Sequence, residues 1–262
     1  MDATAASGPI SIARRFAGPR DSANGGYAAG MLAGAFLAGR AASATSAEGA
    51  DCAGAVEVTL RKPPPLDTEM LLRGDTADGH DTLTLTLDDQ VVAQARAGAL
   101  AADPVDAVSL AAAREAETSY AGRTAHPFVT CFTCGPEREP GDGLRLSPGP
   151  LGDGRTACTW TPDPSLAADD EASGVRPEFV WAALDCPGGW TTDVVGRPML
   201  LGRITGEVYA PAEVGERHVV MGRLLGEDGR KTFTATTLYD SDGRVVARAE
   251  HVWITVDPAM FA

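Results

Sequence analysis

The chain of 262 residues carries 36 acidic against 22 basic side chains, a formal net charge of −14 and a pI near 4.6. That balance argues against a nucleic-acid partner, which needs a basic face, and no apolar run reaches the roughly 18 residues of a membrane span. With 44% hydrophobic residues the chain can build a packed core, which excludes wholesale disorder. An anionic small ligand stays open, because it needs only a local basic cluster. Met1-Asp2-Ala3-Thr4 has no basic n-region and no long apolar stretch follows, so no export signal is expected. The five cysteines (Cys52, Cys131, Cys134, Cys158, Cys186) then read as reduced thiols of a cytoplasmic protein rather than a disulfide framework.

In chain order, residues 11–16 form a short strand candidate and residues 18–24 a turn-rich loop. Residues 25–40 (GGYAAGMLAGAFLAGR) predict a helix whose glycines lower its helicity and point to something packed closely on it. Residues 43–53 are a small-residue loop. From residue 55 the period changes to two: Val56, Val58 and Leu60 alternate with Glu57, Thr59 and Arg61. Residues 69–74 resume the strand pattern and 77–79 turn. Residues 82–87 (TLTLTL) and 90–97 flank Asp88-Asp89 as a hairpin. Residues 104–119 are Ala-rich and predict a short helix. The order then repeats: a strand at 155–160, a helix at 177–195, and strands at 201–209, 218–225, 231–239 and 244–256.

Between the halves runs a glycine- and proline-rich connection holding Cys131-Phe132-Thr133-Cys134-Gly135. One CxxC is half of a zinc site, and no second CxxC or HxxxH closes it; His126 is the only nearby candidate. The reading is an irregular loop packed by Phe128 and Phe132, with no metal and no cofactor expected.

The segment Val180-Trp181-Ala182-Ala183-Leu184-Asp185-Cys186-Pro187-Gly188-Gly189-Trp190 places one acid in an apolar run. A buried carboxylate has a raised pKa, one route to a general base or acid. Asp185 could equally cap a helical turn restarting at Pro187. Cys186 reads as a small core residue, since nothing cationic adjoins it in sequence.

Two motif pairs suggest duplication. Gly25-Gly26-Tyr27-Ala28-Ala29 matches Gly188-Gly189-Trp190-Thr191-Thr192, and Val91-Val92-Ala93-Gln94-Ala95 matches Val245-Val246-Ala247-Arg248-Ala249. With Asn24-Gly25-Gly26-Tyr27 opening the first helix, this pattern resembles the double-hotdog acyl-CoA thioesterases. Trp181-Ala182-Ala183-Leu184-Asp185 is similar to the central-helix Asp segment of the type II enzymes. The resemblance implies an α+β double hotdog: two antiparallel sheets, each wrapped around a central helix, as a tandem repeat. The units would be residues 1–122 and 155–262, joined by 123–154. By order, Thr205 falls near the Thr those enzymes use and His251 where a Gln would stand.

Thioester hydrolysis needs a polarised carbonyl, an activated water and a departing thiolate. The expected assignment has Asp185 as base, Thr205 and His251 orienting water, and Asn24, Gly25, Gly26, Gly188 and Gly189 binding substrate through backbone donors at helix starts. Close helix–sheet packing is the alternative reading of both glycine pairs. Arg61-Lys62 and Arg14-Arg15 are the basic pairs available to a CoA phosphate. Serine-nucleophile chemistry lacks its Gly-x-Ser-x-Gly, and no Walker-type loop exists. The expected partner is an acyl-CoA or similar thioester, bound by a monomer of two fused units or an oligomer of them. A non-catalytic acyl-ligand-binding hotdog and a hotdog hydratase or dehydratase are the rivals; the latter usually pairs an Asp with a His close in sequence, absent here.

Overall fold

The computed structural model describes residues 8–43, 54–77, 80–169 and 174–257. The loop expected at 43–53, with Cys52, and the turn at 77–79 lie largely outside them. Eleven strands and three α-helices follow one another as β1 Gly8–Ile10, α1 Gly25–Ser43, β2 Val56–Leu60, β3 Met70–Ala77, β4 His80–Leu87, β5 Gln90–Ala97, α2 Leu110–Glu117, β6 Gly149–Pro150, β7 Arg155–Trp160, α3 Pro177–Gly189, β8 Met199–Val208, β9 His218–Asp228, β10 Lys231–Tyr239 and β11 Val245–Thr255. The first predicted strand is displaced: β1 ends at Ile10, and residues 14–16 form a 3-10 turn.

All the strands belong to one antiparallel sheet, in the order β1-β3-β4-β5-β2-β8-β11-β10-β9-β7-β6. Two separate sheets were expected. Instead β2 pairs with β8, Val58 opposite Ile204 and Glu57 opposite Thr205. The join satisfies backbone groups that two free edge strands would otherwise leave open. Reading outward from the seam, β2-β5-β4-β3-β1 on one side mirrors β8-β11-β10-β9-β7 on the other. The two Val-Val motifs, in β5 and β11, fall on matching strands. The two glycine pairs do not correspond: Gly25-Gly26 begin α1, whereas Gly188-Gly189 end α3.

Alternation sorts the strand residues. In β4, Leu83 and Leu85 are buried while Thr82 and Thr84 are only half-covered. Helix α1 lies on β2, β4, β5 and β8, and α3 lies on β7 to β11. Every residue of α3 from Phe179 to Gly189 is buried, as expected of a helix apolar on all sides.

The two helices run antiparallel in direct contact. A Cβ on Gly26 would stand 2.5 Å from the Asp185 Cβ, and one on Gly30 would stand 2.7 Å from the Glu178 Cα. Gly26 and Gly30 therefore face the other helix, whereas Gly25 faces Leu60 and Leu201 of the sheet. Phe16, Tyr27, Phe132 and Phe179 close one side of the crossing, with Phe16 stacked on Tyr27 at 4.0 Å.

α2 belongs spatially to the second half, although it precedes the proposed division at residue 122. It packs on β6, β7 and β9, and a second small core of Val105, Ala113, Ala116, Ala157, Val219 and Met221 lies beneath it. Tyr239 donates its hydroxyl to the Val105 carbonyl (2.7 Å), and the Val105 N–H donates to Thr237 (2.9 Å).

Gly30→Ala separates two effects of opposite sign. Helix propensity alone would stabilise the protein by about 1 kcal/mol; the contact with α3 should instead destabilise it by about 1–3 kcal/mol. Denaturant unfolding is expected to give a net loss, and a gain would mean that the helices are spaced more widely.

Candidate active site

The site is assembled where α1 begins. Asn24 precedes the helix and accepts the Tyr27 N–H on its Oδ1 (2.9 Å), an N-cap on the third helical residue. Its amide nitrogen donates to Oδ2 of Asp185 (2.9 Å), and the Gly26 N–H donates to the same oxygen (3.0 Å). The carboxylate of one helix thus terminates the other, at the positive end of the α1 dipole. Asp185 does not cap its own helix: α3 runs unbroken through Pro187.

Pro187 withholds an N–H from the α3 ladder, and the helix ends soon after it. Buried threonines supply donors to the carbonyls nearby: Thr133 to Ala182 (3.0 Å), Thr236 to Leu184 (2.9 Å) and Thr156 to Pro187 (2.7 Å). These bonds come from the connection, β10 and β7, and they hold the Asp185 turn of α3 on three sides.

Asp185 is 2% exposed, and its Oδ1 makes no hydrogen bond among the described residues. Burial pushes its carboxyl up to about 7, against the opposing pull of the Gly26 N–H and the Asn24 amide. A carboxyl poised there exchanges a proton near neutrality.

Asp185 lines a predominantly apolar cavity of about 270 Å³, shared with Asn24, Gly25, Cys131, Cys186 and Trp253. Arg61 and Lys62 line it too. Their side chains reach Gln94 and Gln90, which keeps both heads exposed beside the cavity. Arg14 and Arg15 are engaged elsewhere, by Asp67 and by Asp142 with the Gly141 carbonyl.

Asp185, Asn24, Gly25 and Gly26 come together; the other predicted site residues do not join them. Thr205 sits opposite Glu57, which meets Arg96 and Arg203 on the sheet face away from the helices. Its neighbour Gly206 faces the Trp181 ring instead. One residue of register therefore separates Thr205 from the site. His251 is inside, but against Thr234 (3.3 Å), Trp253 and Gly188. Burial drives it down to about 4, so the ring is uncharged at neutral pH. Gly188 and Gly189 stand at a helix C-terminus, where carbonyls rather than N–H groups are exposed; Thr191 and Thr192 donate to them (2.7 and 3.2 Å). Both are closely packed: a Cβ on Gly188 would lie 2.6 Å from the Thr234 hydroxyl, and one on Gly189 would lie 3.3 Å from the Trp253 ring.

The sequence reading missed the third thiol. Cys186, one residue past Asp185, lies with its sulfur 3.8 Å from that of Cys131, and Cys134 completes the group. Sequence spacing gave no hint of Cys186. The Gly135 that follows the CxxC was the available sign of a tight turn.

No protein-family model matches this chain, and no curated protein matches it in sequence. Solved structures do resemble it. A conserved protein of unknown function with a hotdog fold from Alicyclobacillus acidocaldarius aligns at TM-score 0.58 and 14% identity, over 96% of this chain and 93% of that one. The tesB protein of Mycobacterium avium subsp. paratuberculosis aligns at 0.59 and 11%, over 96% and 93%. An acyl-CoA thioesterase II from Mycobacterium marinum aligns at 0.55 and 12%, over 97% and 94%. The chain therefore has the hotdog fold. No helix among the described residues is long and apolar enough to cross a membrane.

The raised Asp185 pKa fixes how stability depends on pH. The folded protein keeps a proton that the unfolded chain releases near pH 4. Its stabilising contribution is full below about pH 4 and declines as the pH rises to about 7. Asp185→Asn keeps an acceptor for Asn24 and Gly26 but cannot ionise. It should flatten the unfolding free energy across that window and stabilise the protein at pH 8 by about 1–3 kcal/mol. Melting curves from pH 4 to 8 check this.

Proposed function

We propose that the chain is a thioester hydrolase acting on an acyl-CoA or similar acyl-carrier thioester, with Asp185 as its general base. The observation that carries the reading is the Asp185 carboxyl, pushed up to about 7 and held at the α1 N-terminus on the cavity floor. The apolar lining suits an acyl chain, and Arg61 and Lys62 suit the phosphates of a CoA carrier. The likeness to thioesterase-named hotdog structures supports the same reading at the level of the fold alone.

In this mechanism Asp185 takes a proton from water through Oδ1 while Oδ2 stays tied to Asn24 and Gly26. The hydroxide forms a C–O bond at the thioester carbon. The negative charge moving onto the carbonyl oxygen is stabilised by the first α1 N–H, that of Gly25, which borders the cavity. The C–S bond then breaks, and the Asp185 proton passes to the departing thiolate. Neutral His251 supports the helix end and stays out of the proton path. Thr205 takes no part.

We also propose that the mirrored strand order records two fused hotdog units on either side of the β2–β8 seam, with the division ahead of α2 rather than at residue 122. One chain would then contain both central helices.

Asp185→Asn should cut turnover by about 10²–10⁴-fold with little change in substrate affinity, followed by thiol release from a panel of acyl-CoAs. The wild-type kcat/KM should rise with pH through about 7, as Asp185 loses its proton. Undiminished hydrolysis by Asp185→Asn removes the residue from the mechanism. A shift in melting temperature with acyl-CoAs and no thiol release from any of them would favour a binding protein instead.

A further inference from the structure

Sulfur is gathered at one point in this molecule. The Sγ atoms of Cys131, Cys134 and Cys186 all lie within 4.8 Å of one another, and all three residues are buried. The Cys131–Cys186 separation is 3.8 Å. A tetrahedral ion with metal–sulfur bonds of about 2.3 Å holds its sulfurs about 3.8 Å apart.

The backbone is built to bring them there. Cys131 and Cys134 flank a tight turn in which the Gly135 N–H donates to the Cys131 carbonyl (2.8 Å). A Cβ on Gly135 would stand 2.5 Å from the Cys131 nitrogen, so the turn closes only with glycine there. Inside the turn, Thr133 donates its hydroxyl to the Ala182 carbonyl of α3 (3.0 Å). That bond fastens the CxxC to the helix that carries Cys186.

Donors surround the sulfurs. The Asn24 amide donates to the Cys131 Sγ (3.8 Å), and His126 Nε2 is 3.3 Å from the Cys134 Sγ. The Phe128 N–H donates to His126 Nδ1 (2.9 Å), which leaves the proton of the neutral ring on Nε2, facing sulfur. His126 is therefore a donor to Cys134 and not a fourth ligand. Three thiols kept only for volume would behave as small apolar groups, and would not need N–H donors aimed at them. Thiolates bound to a metal do, and such outer partners tune their affinity. Cys131 and Cys186 both border the cavity, so a fourth position would face it beside Asp185.

We propose that Cys131, Cys134 and Cys186 bind one zinc ion as thiolates, with the fourth position open to the cavity. Binding forms three Zn–S bonds and releases the thiol protons to solvent, so occupancy falls as pH falls. The soft thiolate set selects zinc over magnesium or calcium. The geometry of the site is fixed by the turn and by α3 and does not rest on the hydrolase reading; a zinc ion beside Asp185 would pull its carboxyl down, so the pH dependences given above are those of the zinc-free protein.

The test is elemental analysis of the full chain, expressed with added zinc and purified under reducing conditions without chelator. About one zinc per chain is expected, lost in Cys134→Ser and in Cys186→Ala. Cys158→Ala, which removes a buried thiol outside the cluster, should keep it. Cobalt reconstitution should give thiolate-to-cobalt charge-transfer bands in the wild type that vanish in Cys186→Ala. Circular dichroism shows whether each variant is folded, and the wild-type metal content decides the matter even if one is not. A folded wild-type protein that takes up neither zinc nor cobalt overturns the proposal. So does full zinc retention by both ligand variants, or a disulfide between any two of the three cysteines under reducing conditions.

Discussion

Asp185 Oδ2 is the atom on which two helices from distant parts of the sequence converge. It accepts from Asn24 and Gly26, residues 161 and 159 positions away. Burying a carboxylate costs free energy unless donors compensate it. Here the α1 end, whose N–H groups would otherwise be unsatisfied, offsets only part of that cost, and the carboxyl stays raised. The pairing is possible only because Gly26 lets the helices touch, and because α3 continues through Pro187 with threonines bonded to its carbonyls. Helix contact, end-capping and the perturbed carboxyl are one arrangement, so a change in any of them reaches the cavity floor.

That arrangement explains why the site has two faces with different chemistry. Toward α1 are hydrogen-bond donors and a positive dipole end; toward the connection are thiols and the N–H groups that surround them. The cavity opens on both. His251, which the order of motifs places with Asp185, instead helps to fill the space between β11 and the end of α3. Its loss of charge follows from that burial.

Much of the fold could be read from periodicity. Alternation in Thr82–Leu87 and Lys231–Tyr239 marks β4 and β10, and the glycine-spaced helix at 25–40 is α1. Asp185 was legible as the one acid in an apolar run. What stayed hidden depends on distance or on a single step of register. Thr205 matched a family role by order, yet a strand turns alternate side chains to opposite faces, and Thr205 points away. Gly188-Gly189 resembles Gly25-Gly26 in letters, but no local sequence signal says which end of a helix a glycine pair occupies. Cys186 joins Cys131 only because α3 and the connection pack together.

The single sheet has one further consequence. Among the described residues the outermost strands are short: β1, of three residues, pairs only with residues 70–72 of β3, and β6, of two, only with Thr156 and Ala157 of β7. Both contain proline, Pro9 and Pro150, which has no N–H to offer an incoming strand. A long flat margin would be a template for runaway association through backbone bonds. Here the outermost strand at each end carries a proline, which discourages strand addition at those positions.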